Sequence, residues 1–351
     1  MRRMFTLRAK IMNAWRRGRN ALRRLWRQQL PSREPVASAW SVGVYKEPGP
    51  RRLFGRRAQR SLNYRLYLPR DRSPQDQLPL LVMLHGCSQD AEQFAAGTRM
   101  NAVAQEHNCA VLYPEQNSAA NALRCWNWFD RTVQQGGGEA GVIVRLVQEQ
   151  MRSVAIDPRR VYVAGLSAGA AMAEILALRH PDLFAACALH SGIAFAAAGS
   201  AGEAMRVMGS GATVSAMDSA RRLTGSTDGK LLVGPALVIQ GSADTRVHPR
   251  NAIQIVALRQ LLAGLQVSSE AEPVPSDERE FELGGRKVRQ RDYRSGSRLL
   301  VRSLLIDGLA HAWSGGDPQL PFNDGTGPDA SALILEFLLG QRLAKSVVEP
   351  Q

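Results

Sequence analysis

The chain has 351 residues, 44% hydrophobic and 22% charged, with a formal net charge of +14. A chain of this length can bury most of its surface in one large domain and needs no staples to fold. The charge resembles a nucleic-acid signal only until it is located: residues 1–60 hold 17 Lys/Arg against Glu34 and Glu47, so the remainder is close to neutral. A nucleic-acid-binding fold carries its basic charge on a folded face, and that reading is excluded.

Residues 1–60 form a basic N-terminal extension. Met4, Leu7, Ile11, Trp15, Leu22 and Trp26 recur at helical spacing, arginines fill the other positions, and Pro31 ends the pattern. The arginines break every run that would make the apolar core of a signal peptide, so no export signal is recognised. The segment reads as a basic amphipathic helix able to lie on an anionic membrane or granule surface. Its rival is an unstructured basic tail. A Pro/Arg-rich connector follows over residues 31–60. No apolar run qualifies as a membrane span; the weakly hydrophobic stretch 184–202 contains His190.

The body, residues 61–342, alternates strand and helix. Strands are expected at 64–68, 78–84, 110–113, 160–164, 185–189, 236–240 and 300–306. Helices are expected at 91–106, 139–154, from Ser167 to about 180, and from Pro328-Asp329-Ala330-Ser331 to about 339. Short apolar runs alternating with helices predict an α/β fold, with a mostly parallel central sheet covered on both faces. Residues 194–233 read as an insertion over one end of the sheet. Residues 278–299, centred on Gly284-Gly285, read as a β-hairpin, and residues 343–351 as a C-terminal tail. The four cysteines match no zinc spacing, and no metal or cofactor is expected. Cys109 and Cys187 fall in apolar runs as free buried thiols, whereas Cys87 and Cys125 fall in loops.

Gly165-Leu166-Ser167-Ala168-Gly169 has the pattern of a nucleophile elbow, a strand turning so sharply into a helix that only small neighbours fit. By itself the pattern is weak, but a strand precedes it and an Ala-rich helix follows. A serine hydroxyl needs a base, and in this architecture the acid and then the histidine come after later strands. Gly241-Ser242-Ala243-Asp244 follows one such strand and Asp307-Gly308-Leu309-Ala310-His311 another. Ser167 is therefore the expected nucleophile, His311 the base and Asp244 the acid. His107, His180 and His190 precede any acid in chain order and read as helix-end or packing residues. His248 lies too close to Asp244, and the rival acid Asp307 shares the loop of His311. The backbone N–H groups of Cys87, after the strand 78–84, and of Ala168 are the candidate oxyanion donors. His85 reads as a brace for that loop. Cys125-Trp126-Asn127-Trp128-Phe129 is an aromatic loop, either a substrate surface or a plug, and Trp313 is placed to face the same cleft.

Taken together, Leu84-His85-Gly86-Cys87-Ser88-Gln89, Tyr113-Pro114-Glu115-Gln116, Arg124-Cys125-Trp126-Asn127-Trp128-Phe129, the Ser167 elbow and Gly308-Leu309-Ala310-His311-Ala312-Trp313-Ser314-Gly315-Gly316 resemble the polyhydroxybutyrate depolymerase family of esterases. The resemblance runs over about residues 61–340. It implies an α/β-hydrolase fold, a serine esterase acting on a polyester or small ester, and a Cys87–Cys125 disulfide. Relatives in the family act on feruloyl or acetyl esters of plant polysaccharide. A non-enzymatic granule or membrane coat protein is the alternative of a different class. The disulfide points to an extracellular or periplasmic compartment and the missing signal to cytoplasmic granules.

Overall fold

The computed structural model describes residues 39–47, 60–70, 77–225, 230–268 and 272–344. The amphipathic helix expected within residues 1–30, with Trp15 and Trp26, lies outside them. A ten-stranded sheet runs in the order β1-β2-β4-β3-β5-β6-β7-β10-β9-β8. Its strands are β1 (Ala39–Lys46), β2 (Ser61–Leu68), β3 (Leu78–Leu84), β4 (Ala110–Glu115), β5 (Ile156–Leu166), β6 (Ala186–His190), β7 (Ala236–Gly241), β8 (Asp277–Leu283), β9 (Arg286–Ser295) and β10 (Arg298–Ile306). The six central strands, β4-β3-β5-β6-β7-β10, are parallel, and the flanking ones are antiparallel.

Every residue of β3 is buried, as is every residue of β6 and β7. That is the pattern of strands covered on both faces, and it explains their uninterrupted apolar runs. The covering helices are α1 (Ala91–Thr98), α2 (Met100–Glu106), α3 (Arg131–Gln134), α4 (Gly138–Ser153), α5 (Ala168–Arg179), α6 (Ala201–Ser210), α7 (Ala216–Thr224), α8 (Arg250–Leu262) and α9 (Ala330–Leu339). The insertion expected over residues 194–233 supplies α6 and α7. Among the described residues no helix is long and apolar enough to cross a membrane.

Among the elements that differ from the sequence reading, three have a clear cause. The connector includes β1: Trp40, Val42 and Val44 alternate with Ser41, Gly43 and the buried Tyr45, and the strand pairs antiparallel with β2. The helix expected over 91–106 is two helices, broken where Arg99 takes a left-handed conformation (φ 54°). There the Gly97 carbonyl accepts from Asp317 N–H (2.8 Å) and the Thr98 carbonyl from Ser331 Oγ (2.6 Å), so neither serves a continuing helix. Helix α8 has no counterpart in the sequence reading, because it buries Asn251, Arg259 and Gln260 along with its apolar residues and its apolar stripe is indistinct.

The edge strand β8 is almost wholly exposed, and its Glu278 and Glu280 pair with Arg291 and Arg289 of β9. Charged side chains of this kind blunt an open sheet edge. The hairpin expected about Gly284-Gly285 joins these two strands, with both glycines at positive φ. A two-stranded tongue, β11 (Trp313–Ser314) and β12 (Asn323–Asp324), lies after β10.

Candidate active site

Strand β5 ends at Leu166, helix α5 begins at Ala168, and Ser167 between them has φ 57° and ψ −120°. Such a conformation costs a non-glycine residue about 1–3 kcal/mol, and the surroundings must impose it. They do so through contact. A Cβ on Gly165 would come within 2.4 Å of the Gly169 carbonyl carbon, and one on Gly169 within 2.0 Å of the Leu84 carbonyl oxygen. Both glycines of the elbow are therefore steric necessities, and β3 and β5 meet α5 backbone to backbone. The Ser167 N–H donates to the His190 carbonyl at the end of β6 (2.9 Å). Ala168 N–H opens α5 and has no partner from a preceding turn.

Later strands bring in Asp244 and His311. β7 leads to Asp244 and its parallel neighbour β10 to His311, whose Nδ1 donates to Asp244 Oδ2 at 2.8 Å. Asp244 is buried, and Oδ1 accepts the backbone N–H groups of Arg246 (3.0 Å) and Val247 (2.8 Å). Burial pushes its carboxyl pKa up, but the His311 pairing, the Val247 N–H and the Ser191 hydroxyl outweigh it and hold the value below the ordinary one. With Nδ1 committed to Asp244, the imidazole has Nε2 left as its proton-accepting atom. His311 and Asp244 are thus brought together as the sequence expects.

The other rivals fall away on position. His107 and His180 close helices α2 and α5, and His248 Nδ1 accepts the Arg250 N–H at the start of α8. Asp307 accepts from Ser242 Oγ.

Two residues behind the acid were not singled out from sequence. Ser191, directly after β6, is fully buried at φ 50° and hydrogen-bonds to Asp244. His190 Nε2 accepts the Ser314 N–H (3.4 Å), which leaves Nδ1 as the protonated nitrogen, 3.3 Å from Ser191 Oγ. The His190 ring stacks on Trp313 at 5.2 Å. Burial, then the charge of His311, lowers its pKa to about 3, so it stays neutral. A neutral imidazole, a hydroxyl, a carboxylate and a second imidazole therefore run in one buried line.

The loop after β3 is braced from several sides. His85 is buried, its Nδ1 donates to Gly86 O (2.7 Å) and its Nε2 accepts Gln116 N–H (3.0 Å). Trp126 Nε1 donates to His85 O (3.1 Å), and a disulfide joins Cys87 to Cys125. The loop after β3 and the aromatic loop are one cross-linked unit. Trp126, Trp128 and Trp313, expected as substrate contacts, are only 0–3% exposed. They belong to the plug reading instead: Trp126 holds the His85 carbonyl, Trp128 packs on Phe129, and Trp313 fills the space between His190 and Phe94. Cys109 and Cys187 are buried free thiols as expected.

The aromatic that does adjoin the base is Phe322, whose ring lies edge-on to His311 (6.4 Å), with the Arg246 guanidinium 5.5 Å from its centre. A cavity of about 650 Å³ opens between α7 and α8; His248 lines it and no member of the Ser167–Asp244–His311 set does. Among the described residues no group of three or more His, Cys, Asp or Glu is arranged to hold a metal ion.

A strained serine between a parallel strand and a helix, with an acid–imidazole pair on the following strands, belongs to the α/β-hydrolase class of folds. Solved structures agree: an acetyl xylan esterase from Aspergillus awamori superposes with a TM-score of 0.58 at 18% identity, over 71% of this chain and 89% of that one. Residues 62–276 match the family model described as Esterase PHB depolymerase, and the chain belongs to that family. It is 32% identical over 271 residues to a poly(3-hydroxyalkanoate) depolymerase C from Paucimonas lemoignei, covering 76% of this chain and 61% of that relative. It is 28% identical over 206 residues to a feruloyl esterase B from Thermothelomyces thermophilus, covering 56% and 70%. The chain spans about three fifths of the length of the first two curated relatives it matches.

Proposed function

We propose that the protein is a serine carboxylic-ester hydrolase acting on 3-hydroxyalkanoate polyester or its oligomers. The observation that carries this reading is the Asp244–His311 pair, 2.8 Å apart after β7 and β10, on the same sheet as β5, which ends at strained Ser167. In the proposed reaction Ser167 Oγ attacks the ester carbonyl carbon while His311 Nε2 takes its proton. The Ala168 and Cys87 N–H groups receive the oxyanion. His311 returns the proton to the departing alkoxide as the carbonyl–oxygen bond breaks, leaving an acyl-serine. Water, deprotonated by the same nitrogen, then releases the acid and restores Ser167. Asp244 holds the tautomer and stabilises the imidazolium. Family membership supports the polyester as substrate class. The test is turnover of p-nitrophenyl butyrate by wild type and Ser167→Ala; equal rates would refute the assignment.

A second reading, a feruloyl or acetylxylan esterase on the same residues, is favoured by the likeness to feruloyl esterase B. Product release from polyhydroxybutyrate film against feruloylated or acetylated xylan separates the two. The basic segment 1–30 is proposed to carry the enzyme to an anionic granule or membrane surface, and its deletion should release the protein from particles.

A further inference from the structure

Phe322 occupies the left-handed region (φ 61°), a costly conformation for a bulky side chain. Its carbonyl accepts the Trp313 N–H (2.8 Å) at the entry to β12, which fixes the backbone two residues beyond His311 in the partner strand of the tongue. The strain fixes a definite position for the ring, edge-on to His311 and beneath the Arg246 guanidinium. Arg246 is itself anchored, since its N–H donates to Asp244 Oδ1, while its side chain is exposed. Arg286, by contrast, pairs with Asp324 (2.7 Å) of the same tongue. Among the described residues no carboxylate pairs with Arg246. An uncompensated guanidinium therefore lies on an aromatic bed next to the base.

Its position selects the part of the substrate it meets. The imidazole that protonates the leaving oxygen stands on the alcohol side of the ester, so groups flanking His311 face the alcohol portion. We propose that Arg246, bedded on Phe322, is an anion subsite for the leaving alcohol, and that the preferred esters carry a carboxylate there, as the acid end of a hydroxy-acid oligomer does. This rests on the esterase reading of Ser167 and His311. The ester oxygen sits about 3 Å from the imidazole, the carboxylate of a 3-hydroxy acid about 4 Å further on, and a guanidinium about 3 Å beyond that. The 6.4 and 5.5 Å ring contacts leave room for such a chain when His311 and Arg246 stand on opposite sides of Phe322. A planar carboxylate suits the fork of an arginine, whereas a neutral sugar alcohol offers it no counter-charge.

The experiment measures kcat/KM for cleavage of the internal ester of linear 3-hydroxybutyrate dimer and of its terminal carboxamide, in wild type, Arg246→Gln and Arg246→Lys. Fluorophosphonate labelling of Ser167 runs in parallel. The expected wild-type ratio of acid to amide is about tenfold or more, falling towards one in Arg246→Gln, chiefly through KM, and partly kept in Arg246→Lys. A wild type that is labelled yet shows a ratio near one overturns the subsite alone, as does a ratio unchanged in Arg246→Gln. A wild type that is neither labelled nor active on either ester overturns the esterase reading and the subsite with it.

Discussion

Two buried polar clusters flank strand β6 and serve opposite ends. Toward its start, Glu174 of α5 and Arg259 of α8 form a bidentate pair, and Arg259 also donates to Gly234 O (3.0 Å) and to Cys187 Sγ (3.0 Å). Both side chains are 0–1% exposed, and the guanidinium is enclosed by these partners. Toward its end, Asp244 is just as enclosed by His311, Ser191 and two backbone N–H groups, but the cluster finishes in an imidazole nitrogen that is not consumed. A closed cluster of charges can only hold helices to a sheet. One left open at a single basic atom can move a proton.

Variants sharpen that contrast, beginning with the largest effect. Ser167→Ala should lower kcat on p-nitrophenyl butyrate by roughly 10⁴-fold or more, the scale of losing a triad nucleophile, with the urea midpoint hardly moved. Arg259→Met, which strands Glu174 in the core, should cost about 3–5 kcal/mol in urea unfolding. Replacing both partners by apolar residues should recover most of that loss, because a closed pair contributes little over good packing. Full activity without stability loss in Arg259→Met would erase the distinction.

Acid should next separate the regions through His190, lowered to about 3 from an ordinary 6.5 by burial and the His311 charge. The unfolded chain takes up a proton there below about 6.5 and the folded one only near 3, so stability falls as pH drops between these values. The steepest slope is about 1.4 kcal/mol per pH unit for one proton. Asp244, held below its ordinary value, acts in the same direction as pH falls through its folded value. His190→Asn should flatten the loss of urea midpoint between pH 6.5 and 5. Smallest, Ser191→Ala should reduce kcat about tenfold, the worth of one hydrogen bond to a charged group.

The proposed reactive groups were picked out in the sequence because each follows an apolar strand and lies in a glycine-marked turn. Ser167, Asp244, His311 and the Cys87 loop could be placed by local pattern alone. The central strands were legible for the same reason, since burial on both faces leaves an unbroken apolar run. What escaped depends on contacts between distant segments. Ser191 looks like an ordinary turn residue until β7 places Asp244 beside it. Phe322 and Arg246 are 76 positions apart and meet only over the tongue. The tryptophans misled in the other direction, since aromatic residues in a loop look the same in sequence whether they line a cleft or plug it. A proline-rich neighbourhood hid β1, and buried polar residues blurred α8.

The order of the strands also sets when the Asp244–His311 pair can form. Asp244 and His311 are 67 residues apart, and His311 reaches its partner only when β10 has paired with β7, which in turn needs β6 and β5. Contacts of such sequence separation close late, after the entropy of the intervening loops has been overcome. Activity regained during refolding should therefore lag behind secondary structure and report completion of the sheet, making hydrolysis a timer for the last strand to dock.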